Sequence, residues 1–412
     1  MMDRICILGG DGYLGWPTAM SFAAKGHRVL VVDDGIKRRW EAEVAARPLV
    51  AIPPLSERAK LWNRMAFQRG AGQIDCATLN VASDPEVLEE VLAGFRPATI
   101  IHYAEQPSAP FSMASRDKAV RTQHNNVVGT LNLVFAVHAR LPDAHIVKLG
   151  TLGEYGTPNI DIEEGWLDLE HNGRRDRVLF PKKPGSIYHL SKVHDSANLE
   201  FACRVYNLRV TDLNQGVVYG IETDQTALAE GLHTSFHYDA VFGTVLNRFI
   251  VQAALGLPLS IYGRGHQRRG FLDIRDTLRC VDLAASNPAK RGEFRVFNQL
   301  TEQFSIRELA ERVTAAGRAE GLDVEVRHLD NPRVEAEDHY YNVRHSGLMQ
   351  LGLEPHLLSI ELLRGMIRTV VEHRHAIDQS SLHPQIAWRT GAEAQAGERE
   401  ETLAPQPIRL VG

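Results

Sequence analysis

Arg4-Ile5-Cys6-Ile7-Leu8-Gly9-Gly10-Asp11-Gly12-Tyr13-Leu14-Gly15 decides the fold of this chain. A short apolar run passes directly into glycine, as a buried strand does before a tight turn. Gly9, Gly12 and Gly15 recur at three-residue spacing, and an apolar stretch to Ala24 then reads as a helix. Val29 to Val32 predicts a second strand, closed by Asp33. Strand, glycine turn, helix, strand and acid, in that order, make a dinucleotide-binding βαβ unit. The glycines permit a tight turn and close approach of the backbone to a pyrophosphate, which the helix N-terminus attracts. Asp33 stands where a carboxylate accepts from adenosine ribose hydroxyls and repels a 2′-phosphate, so NAD is expected over NADP. Lys37, Arg38 and Arg39 pull the other way, since basic residues there would attract such a phosphate.

Strands and helices alternate outward from this unit. Ala98–His102 and His145–Leu149 read as buried strands, and Val120–Leu141 as a long amphipathic helix. This alternation predicts an α/β fold, a Rossmann-like doubly wound parallel sheet with a smaller C-terminal α/β substrate lobe. The NAD-binding domain is expected over residues 1–220. A charged, Gly- and Pro-bearing insertion at 158–186 interrupts it and is expected to cover the site. Residues 221–378 are expected mainly to form the substrate lobe, with some segments returning to the first domain. Residues 379–412 are polar and poor in aromatics, which predicts a mobile tail after Trp388.

Composition narrows the function classes. Of 412 residues, 44% are apolar and 24% charged, as in a soluble globular protein. A formal charge of −5 gives no sign of a nucleic-acid surface. Cys6, Cys76, Cys203 and Cys280 are far apart and form no CxxC pair, which argues against a disulfide framework or a metal site. The start runs straight into a strand, with no visible signal peptide. No apolar run approaches the roughly 20 residues needed to span a bilayer. A cytoplasmic protein with no membrane partner is the expectation.

A second constellation is Tyr188-His189-Leu190-Ser191-Lys192. A Tyr and a Lys four residues apart share one face of a helix. The ammonium favours phenolate and is expected to lower the tyrosine from roughly 10 toward the working pH, where a general base is most effective. Such a tyrosine takes the proton from a substrate hydroxyl while its carbon loses hydride. Strand 145–149 ends in Gly150-Thr151-Leu152-Gly153-Glu154-Tyr155-Gly156. Ligands in such sheets bind beyond the carboxyl ends of strands, so Thr151 is placed to hydrogen-bond the reacting hydroxyl. Glu154 and His189 are candidates for further acid–base work. Asn125 and Asn126 lie in the long helix, where they can steady the lysine or the backbone.

Together, Gly9-x-x-Gly12-x-x-Gly15, Asp33, Thr151 and Tyr188-x-x-x-Lys192 resemble the extended short-chain dehydrogenase/reductases of the NAD-dependent epimerase/dehydratase family. Longer strings resemble, within that group, the UDP-sulfoquinovose synthases. They include Thr122-Gln123-His124-Asn125-Asn126, residues 153–165, Thr211-Asp212-Leu213-Asn214-Gln215-Gly216, Tyr238-Asp239-Ala240-Val241-Phe242-Gly243-Thr244 and residues 331–337. The likeness covers residues 4 to about 365. It implies an enzyme in which tightly held NAD+ takes hydride from C4 of the glucose in UDP-glucose. Tyr188 is then the base, with Thr151 and Lys192 in support. Water leaves across C5 and C6, sulfite adds at C6, and hydride returns to C4. Glu154 and His189 occupy matching positions for the C5 base and the acid at the departing hydroxyl, in no fixed order.

The resemblance implies cofactor contacts from Gly9, Gly12, Tyr13, Leu14, Gly15, Asp33, Asp34, Arg38, Asn80, Tyr103, Asn125, Lys192 and Gln215. It implies substrate contacts from Gln106, Thr151, Asn214, Asn247, Arg269 and Arg333, the arginines on a diphosphate through paired, charge-assisted bonds. Helices at 113–140 and 188–207 would form a two-fold four-helix interface, so a homodimer is expected. Four departures stand out. Pro107 replaces an arginine near the expected sugar and sulfite site. Gly265-His266-Gln267-Arg268 replaces a smaller run, and Leu152 replaces methionine. The acid expected at the third strand appears as Asn80 or is displaced to Asp84. A dehydratase of the same build is therefore the alternative, stopping at a 5,6-unsaturated product of another nucleotide sugar or a nucleoside. A non-catalytic NAD-binding sensor would typically lack Tyr188 or Lys192, and both are present.

Overall fold

The computed structural model describes residues 3–333, 336, 338–384, 386–388 and 392–393. Seven strands form its central sheet: β1 (Arg4–Leu8), β2 (Arg28–Val32), β3 (Ile74–Ala77), β4 (Thr99–His102), β5 (His145–Thr151), β6 (Arg209–Gln215) and β7 (Phe294–Gln299). Every pairing is parallel, and the order is β7-β6-β5-β4-β1-β2-β3. This is the doubly wound arrangement expected. The winding reverses between β1 and β4, which opens a crevice at their carboxyl ends. β1 and β2 are near-continuous apolar runs because helices cover both faces, while β5 and β6 carry buried polar residues such as Lys148 and Asp212. Trp16, Met20 and Phe22 of the helix Gly15–Ala24 pack on one face with Trp62 and Val281. Leu88, Leu92, Leu133, Val137, Leu199 and Cys203 pack on the other.

A second core lies beside the carboxyl ends of the sheet. The helices Val245–Ala254, Ile306–Ala319 and Ile360–Glu372 bury Phe249, Ile250, Leu309, Val313, Leu363 and Ile367 together. Two small sheets flank them, Leu259–Tyr262 with Val326–Leu329, and Glu302–Ser305 with Arg268–Asp273 and Val217–Tyr219. Between these, β7 returns to the central sheet beside β6.

Two elements differ from expectation. The long helix begins at Arg116, where Ser115 accepts from the Lys118 amide, and it widens into a π-turn over His124–Val128 before Gly129–Arg140. Such bulges are frequent at functional sites. The insertion holds an antiparallel hairpin, Trp166–His171 with Arg174–Leu179. Asn172 and Gly173 both take positive φ (51° and 72°), which suits a two-residue turn. The hairpin is largely exposed; Phe180 and Lys182 beyond it are the parts that reach inward. The described residues 379–384 and 386–388, ahead of the tail expected after Trp388, are packed against the body of the protein. Gln379–Leu382 is a helical turn with Leu382 buried, and the Trp388 amide donates to the Pro332 carbonyl at 3.1 Å. Apolar side chains among the polar ones dock this stretch. Apart from Ala392–Glu393, the remainder of the expected tail lies outside the described residues.

Candidate active site

The crevice at the switch point is a cavity of about 860 Å³ lined by Gly9, Gly12, Asp33, Asp34, Asn80, Glu105 and Asn125, among others. Gly9 has φ +81°, and a Cβ there would stand 2.5 Å from the Tyr103 carbonyl carbon. A Cβ on Gly15 would stand 2.2 Å from the Gly9 carbonyl oxygen. At Gly12 the nearest atom would be 3.5 Å away, so that glycine leaves open space on the cleft side. No side chain caps the helix Gly15–Ala24 at its start, so the positive end of its dipole meets the glycine turn unscreened, although the Trp16 and Thr18 amides already bond the Gly12 and Leu14 carbonyls. These features fit a dinucleotide.

Asp33 accepts from the Asp11 amide at 2.9 Å and the Gly35 amide at 2.7 Å, one on each oxygen. Each oxygen retains lone-pair capacity for a ribose hydroxyl. Burial, aided by the Asp11 charge, raises its carboxyl to about 6 against the pull of these amides. The basic run borders this cleft but is paired within it. Arg38 pairs with Asp11 and donates to the Ile52 and Pro53 carbonyls, Arg39 pairs with Asp34, and Lys37 with Glu41. These pairings offset the positive charge that a 2′-phosphate would need. Arg38 braces the cleft floor through Asp11. Asn80 donates to Asp34 at 3.0 Å and accepts from the Ala82 and Ser83 amides. Asn125 donates to the Ala104 carbonyl at 3.5 Å. Tyr13 and Leu14 turn their side chains toward the second core, and the Tyr13 hydroxyl donates to the Gly220 carbonyl at 2.6 Å. Tyr103 reaches the Thr18 hydroxyl at 3.3 Å. Gln215 bonds Thr277 and Gln299 inside the sheet.

The second constellation assembles at the other end of the crevice. Ser186 caps the helix Ile187–Tyr206, so Tyr188 and Lys192 follow on its first turns. The Lys192 ammonium donates to the Leu149 carbonyl at 2.6 Å, ion-pairs with Glu105 and lies 5.8 Å from the Tyr188 ring centre. Asn126 in the π-turn donates to Ser191 Oγ at 2.8 Å and accepts from the Gln106 amide at 2.7 Å. Contrary to the sequence expectation, Tyr188 is held well above the usual phenol range. Burial is the main cause, and the charges of Glu105, Glu154 and Asp195 add to it. Glu105 was not anticipated, yet it offsets the very lysine charge on which the expectation rested.

Thr151 and Glu154 form a capping box in which the Thr151 hydroxyl accepts from the Gly153 amide, and Glu154 Oε1 accepts from the Thr151 amide at 3.3 Å. Glu154 is fully buried between Lys148 and Lys182 and accepts from Ser196 at 3.0 Å. Burial raises its carboxyl, but the two ammonium groups outweigh that and hold it down to about 2. An anion so fixed suits orientation of the Thr151 loop. The His189 ring lies 5.1 Å from that of Tyr188 at a tilt of 50°, sits against Gly153, and its Nδ1 is 3.0 Å from Ser186 Oγ.

A second cavity of about 250 Å³ is lined by Tyr188, His189, Pro107, Arg248, Arg269 and Arg333, together with Val217, Phe242 and Tyr262 among others. Of the expected substrate residues, Arg269 and Arg333 line it. Arg333 lies over the Trp388 ring at 5.3 Å, and Arg248 over Tyr262 at 4.6 Å. Gln106 instead braces its own loop through Ser108, Asn214 donates to the Tyr155 hydroxyl at 2.6 Å, and Asn247 donates to the His237 carbonyl at 3.0 Å. Sequence reasoning missed Arg248, Tyr262 and Trp388, whose positions depend on how the second core docks.

The model of the NAD dependent epimerase/dehydratase family matches residues 5–298. The chloroplastic UDP-sulfoquinovose synthase of Spinacia oleracea is 50% identical over 386 residues, 94% of this chain and 79% of that protein. The UDP-sulfoquinovose synthase of Sulfolobus acidocaldarius is 40% identical over 389 residues, 94% of this chain and 98% of the other. In fold, the chain is similar to the UDP-glucose 4-epimerase of Thermotoga maritima solved with UDP-glucose (TM-score 0.65, 19% identity, 91% of this chain and all of that one). No helix among the described residues is long and apolar enough to cross a membrane. The glycine cleft, the paired Tyr188 and Lys192 and these likenesses agree: the chain belongs to the NAD-dependent epimerase/dehydratase family, in the group of the UDP-sulfoquinovose synthases.

Proposed function

We propose that this chain is an NAD-dependent enzyme that converts a UDP-sugar as a UDP-sulfoquinovose synthase does. The reading rests above all on the second cavity, whose lining combines Tyr188 and His189 with three arginines, Arg248, Arg269 and Arg333. The first pair suits a reacting sugar and the arginines suit a diphosphate. NAD, when bound, supplies the acceptor for hydride at C4 of the sugar and returns it at the close. Tyr188 takes and restores the C4 hydroxyl proton, with Thr151 and Lys192 in support. His189, which lines the same cavity as Tyr188 and adjoins it, serves the proton transfers at C5 and C6. Glu154 holds the Thr151 loop in place from its ion-paired site.

Sulfite is the proposed nucleophile at C6. Pro107 lines the cavity where a cation would otherwise help to hold it, so the acceptor is the part of the reading most exposed to test. Mass spectrometry of products from the NAD-loaded protein with UDP-glucose, with and without sulfite, decides. A sulfonated UDP-sugar is the expected product. Loss of one water without sulfonation would give the dehydratase reading instead.

A homodimer is part of the proposal. Val120, Phe135, Phe201 and Val205 are exposed on the helices Arg116–Gln123, Gly129–Arg140 and Ile187–Tyr206, and the Phe135 and Phe201 rings both contact Tyr206. Exposed apolar side chains shared by these three helices, with Phe135 and Phe201 joined through Tyr206, suit an isologous contact. The four free cysteines support placement in a reducing compartment such as the cytoplasm.

A further inference from the structure

Glu105 occupies an unusual place. It follows β4 at the switch point, lines the cofactor cleft, and its side chain is 2% exposed. Its carboxylate ion-pairs with Lys192, and His102 Nε2 is 3.9 Å away. A buried carboxylate costs several kcal/mol of solvation unless paired, and the Lys192 ammonium carries the complementary problem. Each group therefore stabilises the other. Lys148 and Asp195 also face this pocket from β5 and from the helix of Lys192, and Tyr188 faces it from the same helix.

The location matters because of the charge of the cofactor. Hydride must leave the sugar carbon whose proton goes to Tyr188, so the reactive ring of the dinucleotide meets this end of the cleft. That ring is a cation when oxidised and neutral when reduced. A lone buried ammonium at Lys192 would oppose the oxidised form. We infer that Glu105 is a positioning residue that anchors Lys192 and cancels its charge, and so sets the bound cofactor's preference for the oxidised state. The inference rests on the function proposed above. An enzyme that returns hydride within each turnover must wait for substrate with oxidised cofactor, and this pair biases the resting site that way.

The test reads binding alone. The full chain is equilibrated with fixed mixtures of NAD+ and NADH, and the composition of the bound cofactor is measured. Loss of one close charge is worth roughly tenfold in such an equilibrium. Glu105→Gln is expected to move the bound ratio toward NADH by about tenfold, while Glu105→Asp keeps it near that of the parent. Lys192→Met is expected to move it the opposite way, and this holds the inference to account if Glu105→Gln folds poorly. A purely structural role would weaken both forms equally. An unchanged ratio with both forms bound overturns the inference and leaves the function standing. A protein that retains neither form overturns both.

Discussion

Tyr188 is where the chemistry of this site is most exposed to experiment. General acid–base side chains contribute about 10²–10⁴-fold, so Tyr188→Phe should lower turnover by that range. The fold should persist, because the Tyr188 backbone amide still donates to Ser112 Oγ at 3.0 Å. Steady-state rates beside a thermal melt separate these effects. Asp33 supplies a pH test. Burial raises its carboxyl to about 6, so the anion that accepts from ribose hydroxyls is lost as pH falls through that value. NAD affinity should therefore decline below about pH 6, and Asp33→Asn should be weaker yet indifferent to pH over the same range. Titrations at pH 5 and 7 check both. Both residues were legible in the sequence, since a motif fixes each by local spacing. The elevated state of Tyr188 was not. It depends first on burial, which only the packed site creates, and then on Glu105 and Glu154, which reach the site from loops after β4 and β5. Lys148 gave a fainter signal: a lysine within a strand buried on both faces must meet a carboxylate, and it meets Glu154 and Asp212.

At the scale of elements, the glycine turn divides into glycines that shape the backbone and one that leaves room for a ligand. Gly9→Ala would force a Cβ to 2.5 Å from the Tyr103 carbonyl carbon at a positive φ, so it should destabilise the fold as well as the cleft. Gly12→Ala meets only the Gly9 carbonyl at 3.5 Å. It should leave the melting temperature unchanged while weakening NAD by at least about tenfold, because the methyl occupies space the backbone must offer a pyrophosphate. Comparing melts and cofactor titrations of the two variants decides. The βαβ unit was readable because period and turn chemistry agree locally. The π-turn at His124–Val128 was not, since its widening reflects the bonds of Asn126 to Gln106 and Ser191, partners distant in sequence.

At the scale of the whole molecule, the apolar face on the paired helices predicts association. The protein should run as a dimer at micromolar concentration, and Phe201→Glu should yield monomers by light scattering with secondary structure retained. The parallel sheet was legible from alternation alone, whereas the docking of residues 379–388 was not, because apolar residues there are sparse and act at long range. Ile386 is buried against Trp40 and Phe111, the Ala240 amide donates to the Ser381 carbonyl at 2.8 Å, and Trp388 lies under Arg333. Pro384, Ile386 and Trp388 thus help to line the cavity proposed for the sugar nucleotide, while most of the core closes without them. A protease that nicks the chain just past Glu372 would therefore leave a protein that still melts cooperatively but holds its sugar nucleotide poorly. Intactness of the C-terminal region thus becomes a quality criterion for any purified sample whose kinetics are to be believed.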